Sequence, residues 1–416
     1  MTHKRIHVFA SDVIPFPGCP RSAGGIRSWQ IISALQKEGH QVTFSFYLHT
    51  FLAEQVRGEI DKNLDDENIW CCNNHFSPDL IIEKIKPDIA IFCNINMLCM
   101  VKKHHPDTVI IGDIYGPIHI EDFLMNARAS LEDDCYQLIA NLRKLDYIIT
   151  VSERQKYFWA AYMSIAGFSL PELDPLICPL SLEIPSITRS PTQTMSVVFS
   201  GGFYPWQRPD RFLKAAAKYL NTINGAELHI FGGPHSGLTN AGEVTHMLEE
   251  LQKNNPSVIY HGYRPVEELT EVLSHSWCAL ELMDRNIERE LAITGRTVEF
   301  LGLGTPVIYN NYSTLSGFIE KYNAGWTVSS DTTEQLLHVL QSIQKGGLPL
   351  VQEKSDGAVK LAQNEFNSEK CNTPLIDLVK SSVKKRETNN LSLKKELYFH
   401  LKRTRRTLLH VHSFYR

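Results

Sequence analysis

The sequence predicts an α/β protein of two halves, each a parallel sheet with helices on both faces. Three observations carry this. At 416 residues the chain exceeds the roughly 250–300 at which one hydrophobic core stops growing. Short apolar runs alternate with helical patterns through both halves, the order that builds right-handed βαβ units. A proline-rich, polar stretch over 169–195 separates them and suits an interdomain linker.

The first half opens on IHVFAS, an apolar run of the fully buried strand type. It leads straight into a loop with Asp12 and several prolines, which makes it a first strand rather than a signal peptide. The loop PFPGCPRSAGG follows, then a helical pattern from Ile26 to Leu35 that stops at Gly39. Strands are expected at QVTFSFY, DIAIFC, TVIIGD and YIITVS. After the linker the alternation restarts with SVVFSGG, a helix near 208–221, ELHIFGG, a helix near 241–254 and VIYHGY. A helix near 265–276, CALEL, a helix near 294–302 and PVIYN complete the second half. The expected division is a first domain over 1–180, a second over 181–382 and a basic amphipathic tail over 383–416.

Composition bounds the function classes. With 43% hydrophobic and 21% charged residues the chain is ordinary globular protein rather than disordered. No apolar run approaches the roughly 20 residues that span a bilayer. Nine irregularly spaced cysteines, with Cys71 and Cys72 adjacent and no CxxC pair, fit a reducing compartment, so a cytoplasmic chain is expected. The net charge of −4 hides a segregation: residues 383–416 hold ten bases and two acids, leaving the body at −12. An acidic body argues against nucleic acid as a partner. The tail sets Leu393, Leu397, Tyr398, Leu401, Leu408 and Leu409 among Lys and Arg, a pattern that can lie on an anionic membrane. Such a tail would make the chain a peripheral protein of the inner face of the cytoplasmic membrane; a solvated helix, or one packed on a second copy, is the alternative.

Four segments can carry chemistry. Gly24-Gly25 opens a helix after the first strand, where backbone N–H groups can meet a phosphate, or where a tight turn simply needs glycine. Gly201-Gly202 ends the first strand of the second half, with Trp206 and Arg208 close behind, at the edge where open α/β sheets bind ligands. From Glu288 to Ile308 an acidic loop enters a short helix at Thr294-Gly295 bearing Arg296 and Glu299, then a Gly-Thr-Pro turn. A helix start plus Arg296 suits a diphosphate, and a carboxylate one turn deeper can accept both hydroxyls of a ribose. Asp113 ends a strand with His119 and Glu121 behind it; facing a cleft, such a carboxylate could orient an acceptor hydroxyl, and otherwise it caps the next segment. The other histidines lack ligand spacing and no Asp-x-Asp occurs, so neither a metal nor a cofactor is expected.

Glu299, with Gly304 five residues on and then Pro306-Val307-Ile308, resembles the signature of retaining glycosyltransferases of family 4, glycosyl transferases group 1. The resemblance covers roughly 5–380 and is strongest over 196–330; it takes in the Gly24-Gly25 loop, the strand end from Asp146 to Ser152, and Gly201-Gly202. It implies the GT-B fold, two Rossmann-like domains facing a central cleft. It also implies transfer of a sugar, with retention and without a metal, from a nucleotide-diphosphate sugar to a saccharide or lipid-linked acceptor in surface-polysaccharide or glycoconjugate synthesis. On that resemblance Glu288 holds donor-sugar hydroxyls and Glu299 the ribose. Gly24, Gly25, Arg208 and Arg296 hold the diphosphate, Tyr263 and Arg264 line the base pocket through their backbone, and Asp113 stands on the acceptor side; His119, close behind it, is either structural or acceptor-facing.

The chain departs from the family in three places. Leu291 stands eight residues before Glu299, where the family has its first glutamate; Glu288 and Glu290 flank the position, and the spacing of Glu288 to Arg296 favours Glu288. Gly202 and Gln207 occupy the positions of the usual Arg and Lys clamp, and Asp113 that of a sugar-contacting His. Two other readings stay open: a sugar-nucleotide 2-epimerase, and a catalytically silent GT-B scaffold.

Overall fold

The apolar runs become central strands because they carry almost nothing that needs water. The computed structural model describes residues 3–15, 22–47, 69–72, 77–125, 131–181, 189–234 and 241–385. Its first sheet contains β1 (Arg5–Phe9), β2 (Gln41–Tyr47), β3 (Ile69–Cys72), β4 (Ile89–Phe92), β5 (Val109–Asp113), β6 (Tyr147–Thr150) and β7 (Leu176–Ile177), in the order β3-β2-β1-β4-β5-β6-β7. The second contains β8 (Ser196–Phe203), β9 (Glu227–Pro234), β10 (Val258–Gly262), β11 (Cys278–Glu281), β12 (Val307–Asn310) and β13 (Gly325–Val328), in the order β10-β9-β8-β11-β12-β13. Neighbouring strands are parallel throughout. β4, β5, β11 and β12 are buried at every residue, as strands covered on both faces must be.

Helices α1 (Ala23–Lys37), α2 (Pro78–Ile85), α3 (Ile118–Met125), α4 (Leu131–Leu142) and α5 (Glu153–Ala166) belong to the first half. The second half holds α6 (Asp210–Leu220), α7 (Ala241–Asn254), α8 (Val266–His275), α9 (Ile287–Leu291), α10 (Gly295–Gly302), α11 (Thr314–Tyr322) and α12 (Glu334–Glu365), with α13 (Ser368–Ser381) last. Helix α6 shows why they pack: Phe212, Leu213, Ala216, Ala217 and Leu220 make one apolar stripe at helical spacing, and all are buried. Ser22 and Ser152 cap α1 and α5 by accepting from the N–H groups of Gly25 and Gln155. Among the described residues no helix is long and apolar enough to cross a membrane.

Three expectations need correction. The stretch 169–195 is not all linker, because Leu176–Ile177 pairs with β6 as the seventh strand of the first sheet. The short strands β3 and β13 were not anticipated. The second domain does not run to 382: α13 crosses back, placing Leu375 and Val379 in the first domain's core beside Ile31, Ile32 and Leu35 of α1. Lys380 then pairs with Glu38, and Lys384 reaches Asp146. The tail beyond Lys385 lies outside the described residues.

One ion pair fastens the first domain. Arg27 of α1, fully buried, donates from Nε and Nη2 to both oxygens of Asp113 at 2.9 Å. The same guanidinium donates to the carbonyls of Cys178 at 2.9 Å and Pro179 at 3.0 Å, tying helix, strand end and the start of the linker together. Breaking a buried pair from one side strands the other charge. Arg27→Leu should therefore cost about 3–5 kcal/mol of stability in urea unfolding, and Arg27→Leu with Asp113→Leu should recover part of it. A single variant as stable as the parent would contradict this role.

Candidate functional site

Gly201 and Gly202 sit in register with Gly232 and Gly233, so the C-terminal ends of β8 and β9 form a shelf without side chains. Arg296 lies on that shelf: a methyl group at Gly201 would stand 2.5 Å from Arg296 Nη1. Its aim comes from below. Glu281, buried at the end of β11, accepts from Arg296 Nε with both oxygens at 3.0 Å and from the Thr297 hydroxyl at 3.0 Å. Burial pushes the Glu281 carboxyl up, while Arg296 and Thr297 pull it back down. Gln207 Oε1 accepts from Arg296 Nη1 at 3.2 Å. Arg296 is the second residue of α10, whose N-cap, Thr294, makes no capping bond with its side chain. A guanidinium and an uncapped helix start, side by side over bare backbone, make a place for an anion.

The opposite wall is shared between domains. Helix α9 is started by Asn286, whose side chain accepts from the Arg289 N–H. First-domain residues hold it: Gln155 Nε2 donates to the Leu291 carbonyl at 3.0 Å, and Arg154 Nη1 to that of Glu290 at 3.1 Å. Glu288 and Arg289 are both buried, and Arg289 donates from Nε and Nη2 to the two oxygens of Glu288. Glu121 of the first domain's α3 is half-buried; burial, then the nearby Glu288 charge, hold its carboxyl up at about 8. Tyr204, after β8, stacks on Trp206 with ring centroids 5.1 Å apart and is close enough to Arg296, Asp12 and Glu121 to feel their charges.

The structure sorts the residues expected from sequence. Glu288 lies at the interdomain wall, whereas Glu290 turns outward and pairs with Arg285 at 2.8 Å. Thr294, Gly295 and Glu299 are half-buried along α10, and the Leu180 side chain would touch a methyl group at Gly295 at 3.9 Å. Tyr263 is 68% exposed and donates to the Gly233 carbonyl at 3.0 Å, beside the shelf; Arg264 is exposed, with Glu268 3.9 Å away. Gly24 and Gly25 are glycines for packing reasons, since a side chain would strike Ser11 and the Val13 carbonyl respectively, and the Gly25 N–H is already committed to Ser22.

Two residues require correction. Asp113 does not face the cleft: both oxygens are spent on Arg27, and the residue is 1% exposed. His119 turns the other way, into Phe158, Trp159 and Tyr162, where its Nε2 meets the Tyr162 hydroxyl at 2.8 Å; burial lowers its pKa to about 4. Arg208, its side chain exposed, pairs with Asp210 at 3.0 Å. Glu281 and Gln155 were missed; the one readable sign of Glu281 was a carboxylate closing the apolar run CALE. Among the described residues no three of His, Cys, Asp and Glu are grouped to hold a metal ion.

Residues 182–357 match the family model of glycosyl transferases group 1. The fold is GT-B. HepE of Anabaena, solved with UDP-glucose, superposes at TM-score 0.66 with 11% identity, over 91% of this chain and 100% of that one. A variant of S. aureus TarM, solved with fondaparinux, alpha-GlcNAc-glycerol and UDP, gives 0.65, 11%, 91% and 100%. A glycosyltransferase of Rickettsia africae gives 0.60, 14%, 92% and 100%. No curated protein matches the sequence.

The Glu281–Arg296 pair generates an asymmetric prediction. Arg296→Met leaves a buried carboxylate without its nearest cation and should cost about 3 kcal/mol or more. Because the folded state then favours a protonated Glu281, that deficit should shrink as pH falls. Glu281→Gln should cost less, since Arg296 reaches water. Equal losses for the two variants in urea unfolding would contradict the pairing.

Proposed function

We propose that the chain is a nucleotide-sugar-dependent glycosyltransferase that transfers a sugar to a hydroxyl of a saccharide or lipid-linked acceptor, with retention at the anomeric carbon. The observation that carries this reading is Arg296, held over the Gly201 backbone by Glu281 at the start of α10. The match of residues 182–357 to glycosyl transferases group 1 supports it, as do neighbours of the same fold solved with UDP or UDP-glucose.

In this reading the diphosphate rests against Arg296 and the N–H groups opening α10, while Glu299, one turn deeper, accepts from the ribose hydroxyls. Donor-sugar hydroxyls donate to Glu288, whose two oxygens Arg289 holds in place. The acceptor hydroxyl approaches on the face that the diphosphate leaves. The C1–O bond to phosphate breaks, the C1–O bond to the acceptor forms, and the hydroxyl proton passes to the departing diphosphate. Charge grows on that diphosphate in the transition state, where a prepositioned guanidinium and helix start lower its energy without a metal. The Glu299-x4-Gly304-x-Pro306 spacing of family 4 supports retention. The basic tail brings this cytoplasmic enzyme to an anionic leaflet, each base contributing on the order of 1 kcal/mol near the surface, and so to lipid-linked acceptors of surface-polysaccharide or glycoconjugate assembly.

Two outcomes test the reading. A screen of nucleoside diphosphates and their sugars should find one that raises the melting temperature, because a ligand of the folded state stabilises it. Arg296→Ala should then weaken binding roughly 10- to 100-fold, the worth of a charge-assisted hydrogen bond, and Glu299→Ala should remove the shift. Failure of every nucleotide to bind would favour the scaffold, and epimerised donor without acceptor would favour the epimerase. Separately, deleting 386–416 should abolish sedimentation with phosphatidylglycerol vesicles while leaving nucleotide binding intact; unchanged sedimentation would remove the tail from membrane contact.

A further inference from the structure

Helix α9 lies in the second domain but is completed by the first. The last carbonyls of a helix point past its end and find no N–H within it. Here those of Glu290 and Leu291 accept from Arg154 and Gln155, side chains of the first domain. We propose that Gln155 is a positioning residue for the sugar transfer: its one amide nitrogen bridges the two domains and sets where Glu288 stands. The effect on transfer rests on the proposed function; the bridge does not.

Gln155 is fully buried. Its Nε2 donates to the Tyr115 carbonyl, just after β5, at 3.0 Å and to the Leu291 carbonyl at 3.0 Å. Two carbonyls at one end of an amide identify that end as the nitrogen, since an oxygen there would face two acceptors. The two hydrogens are thus divided, one to each domain. At the other end Oε1 accepts from the Thr150 hydroxyl at 2.9 Å, and Ser152 Oγ accepts from the Gln155 backbone N–H at 3.3 Å. The side chain is therefore fixed at its base and at both ends of its amide. Arg154 differs. It is exposed, and both carbonyls it meets, those of Glu290 and Tyr312, belong to the second domain. Arg154 tethers α9, whereas Gln155 ties it to the segment after β5.

The bridge reaches Glu288 through the backbone. The Ala292 N–H donates to the Glu288 carbonyl at 2.9 Å, so Leu291 lies within the same turn and a shift there carries to Glu288. Arg289 directs the carboxylate within that turn, and Gln155 sets the turn's place relative to the first domain. In the proposed function Glu288 meets the donor sugar, while Arg296 and Glu299 of α10 hold the nucleotide. Loss of the bridge should therefore slow bond breaking and leave nucleotide binding in place.

Two variants test this. Gln155→Met keeps the length and loses both hydrogen bonds; Gln155→Glu keeps the shape and turns an oxygen toward the two carbonyls. Hydrogen exchange of the ligand-free chain over 286–292, read by mass spectrometry, should run roughly tenfold faster in Gln155→Met than in the wild type. Exchange in β8 and β12 should not change. Should Gln155→Met fail to fold, as circular dichroism will show, Gln155→Glu gives the same reading. Unchanged exchange over 286–292, or equal acceleration throughout the chain, would overturn the proposal. With the nucleotide sugar found by thermal screening, hydrolysis at saturation measures kcat. It should fall roughly 10- to 100-fold in both variants, the cost of a misplacement near 1 Å, with nucleoside diphosphate affinity within about twofold of the wild type. A wild-type kcat in either variant, or an equal fall in affinity, would count against Gln155 in the same way. If no nucleotide sugar binds the wild type, the proposed function fails, and exchange over 286–292 still decides whether Gln155 holds α9.

Discussion

A carboxylate that has lost its water must find a cation, and Glu281 finds Arg296. That requirement organises the second domain's open edge. Glu281 closes β11, Arg296 opens α10, and their pairing fixes the angle at which the helix start meets the glycine shelf. The first domain uses the same device for another end. There Asp113 closes β5 and takes Arg27 from α1, but carbonyls of Cys178 and Pro179 complete the guanidinium's bonds and the pair is sealed. One ion pair leaves its arginine facing the cleft; the other spends its arginine on the frame.

The frame matters because the candidate site belongs to neither domain alone. Helix α9 has only five residues and could not hold Glu288 and Arg289 steady by itself. Gln155 and Arg154 grip it from the first domain, and Gln155 is itself anchored through Thr150 and the Tyr115 carbonyl. The return of α13 to the first domain gives the chain a second crossing between the lobes. The contacts that join the two domains thereby include the small α9 element that carries Glu288.

Much of this was legible in the sequence, for physical reasons. Strands buried on both faces must be apolar end to end, so IAIF, VIIGD and VIYN announce themselves. Helices with one apolar stripe, such as 210–220, are equally plain. Gly201 and Arg296 could be singled out because a strand end and a helix start each restrict residue type, and Glu288 through its spacing to Arg296 in the family resemblance. What escaped was everything decided by tertiary pairing. Asp113 and Glu281 are both acids at strand ends, and nothing local says that one is closed off by Arg27 while the other aims Arg296. His119 was expected on the acceptor side beside Asp113, but the helical turn of α3 sends it into an aromatic cluster while Glu121 lies near Glu288 of the second domain. The short strands β3, β7 and β13 escaped because few residues at a sheet's margin carry little pattern.

The central claim is that a sugar's pyrophosphate is received where Arg296 overhangs the glycine shelf. A crystal structure of the chain soaked with its preferred nucleotide sugar tests this most directly. The diphosphate should lie within hydrogen-bond reach of the Arg296 guanidinium and the first N–H groups of Gly295–Gly302, with the ribose at Glu299. A diphosphate bound instead at Arg208, or a nucleotide seated away from the interdomain cleft, would contradict it.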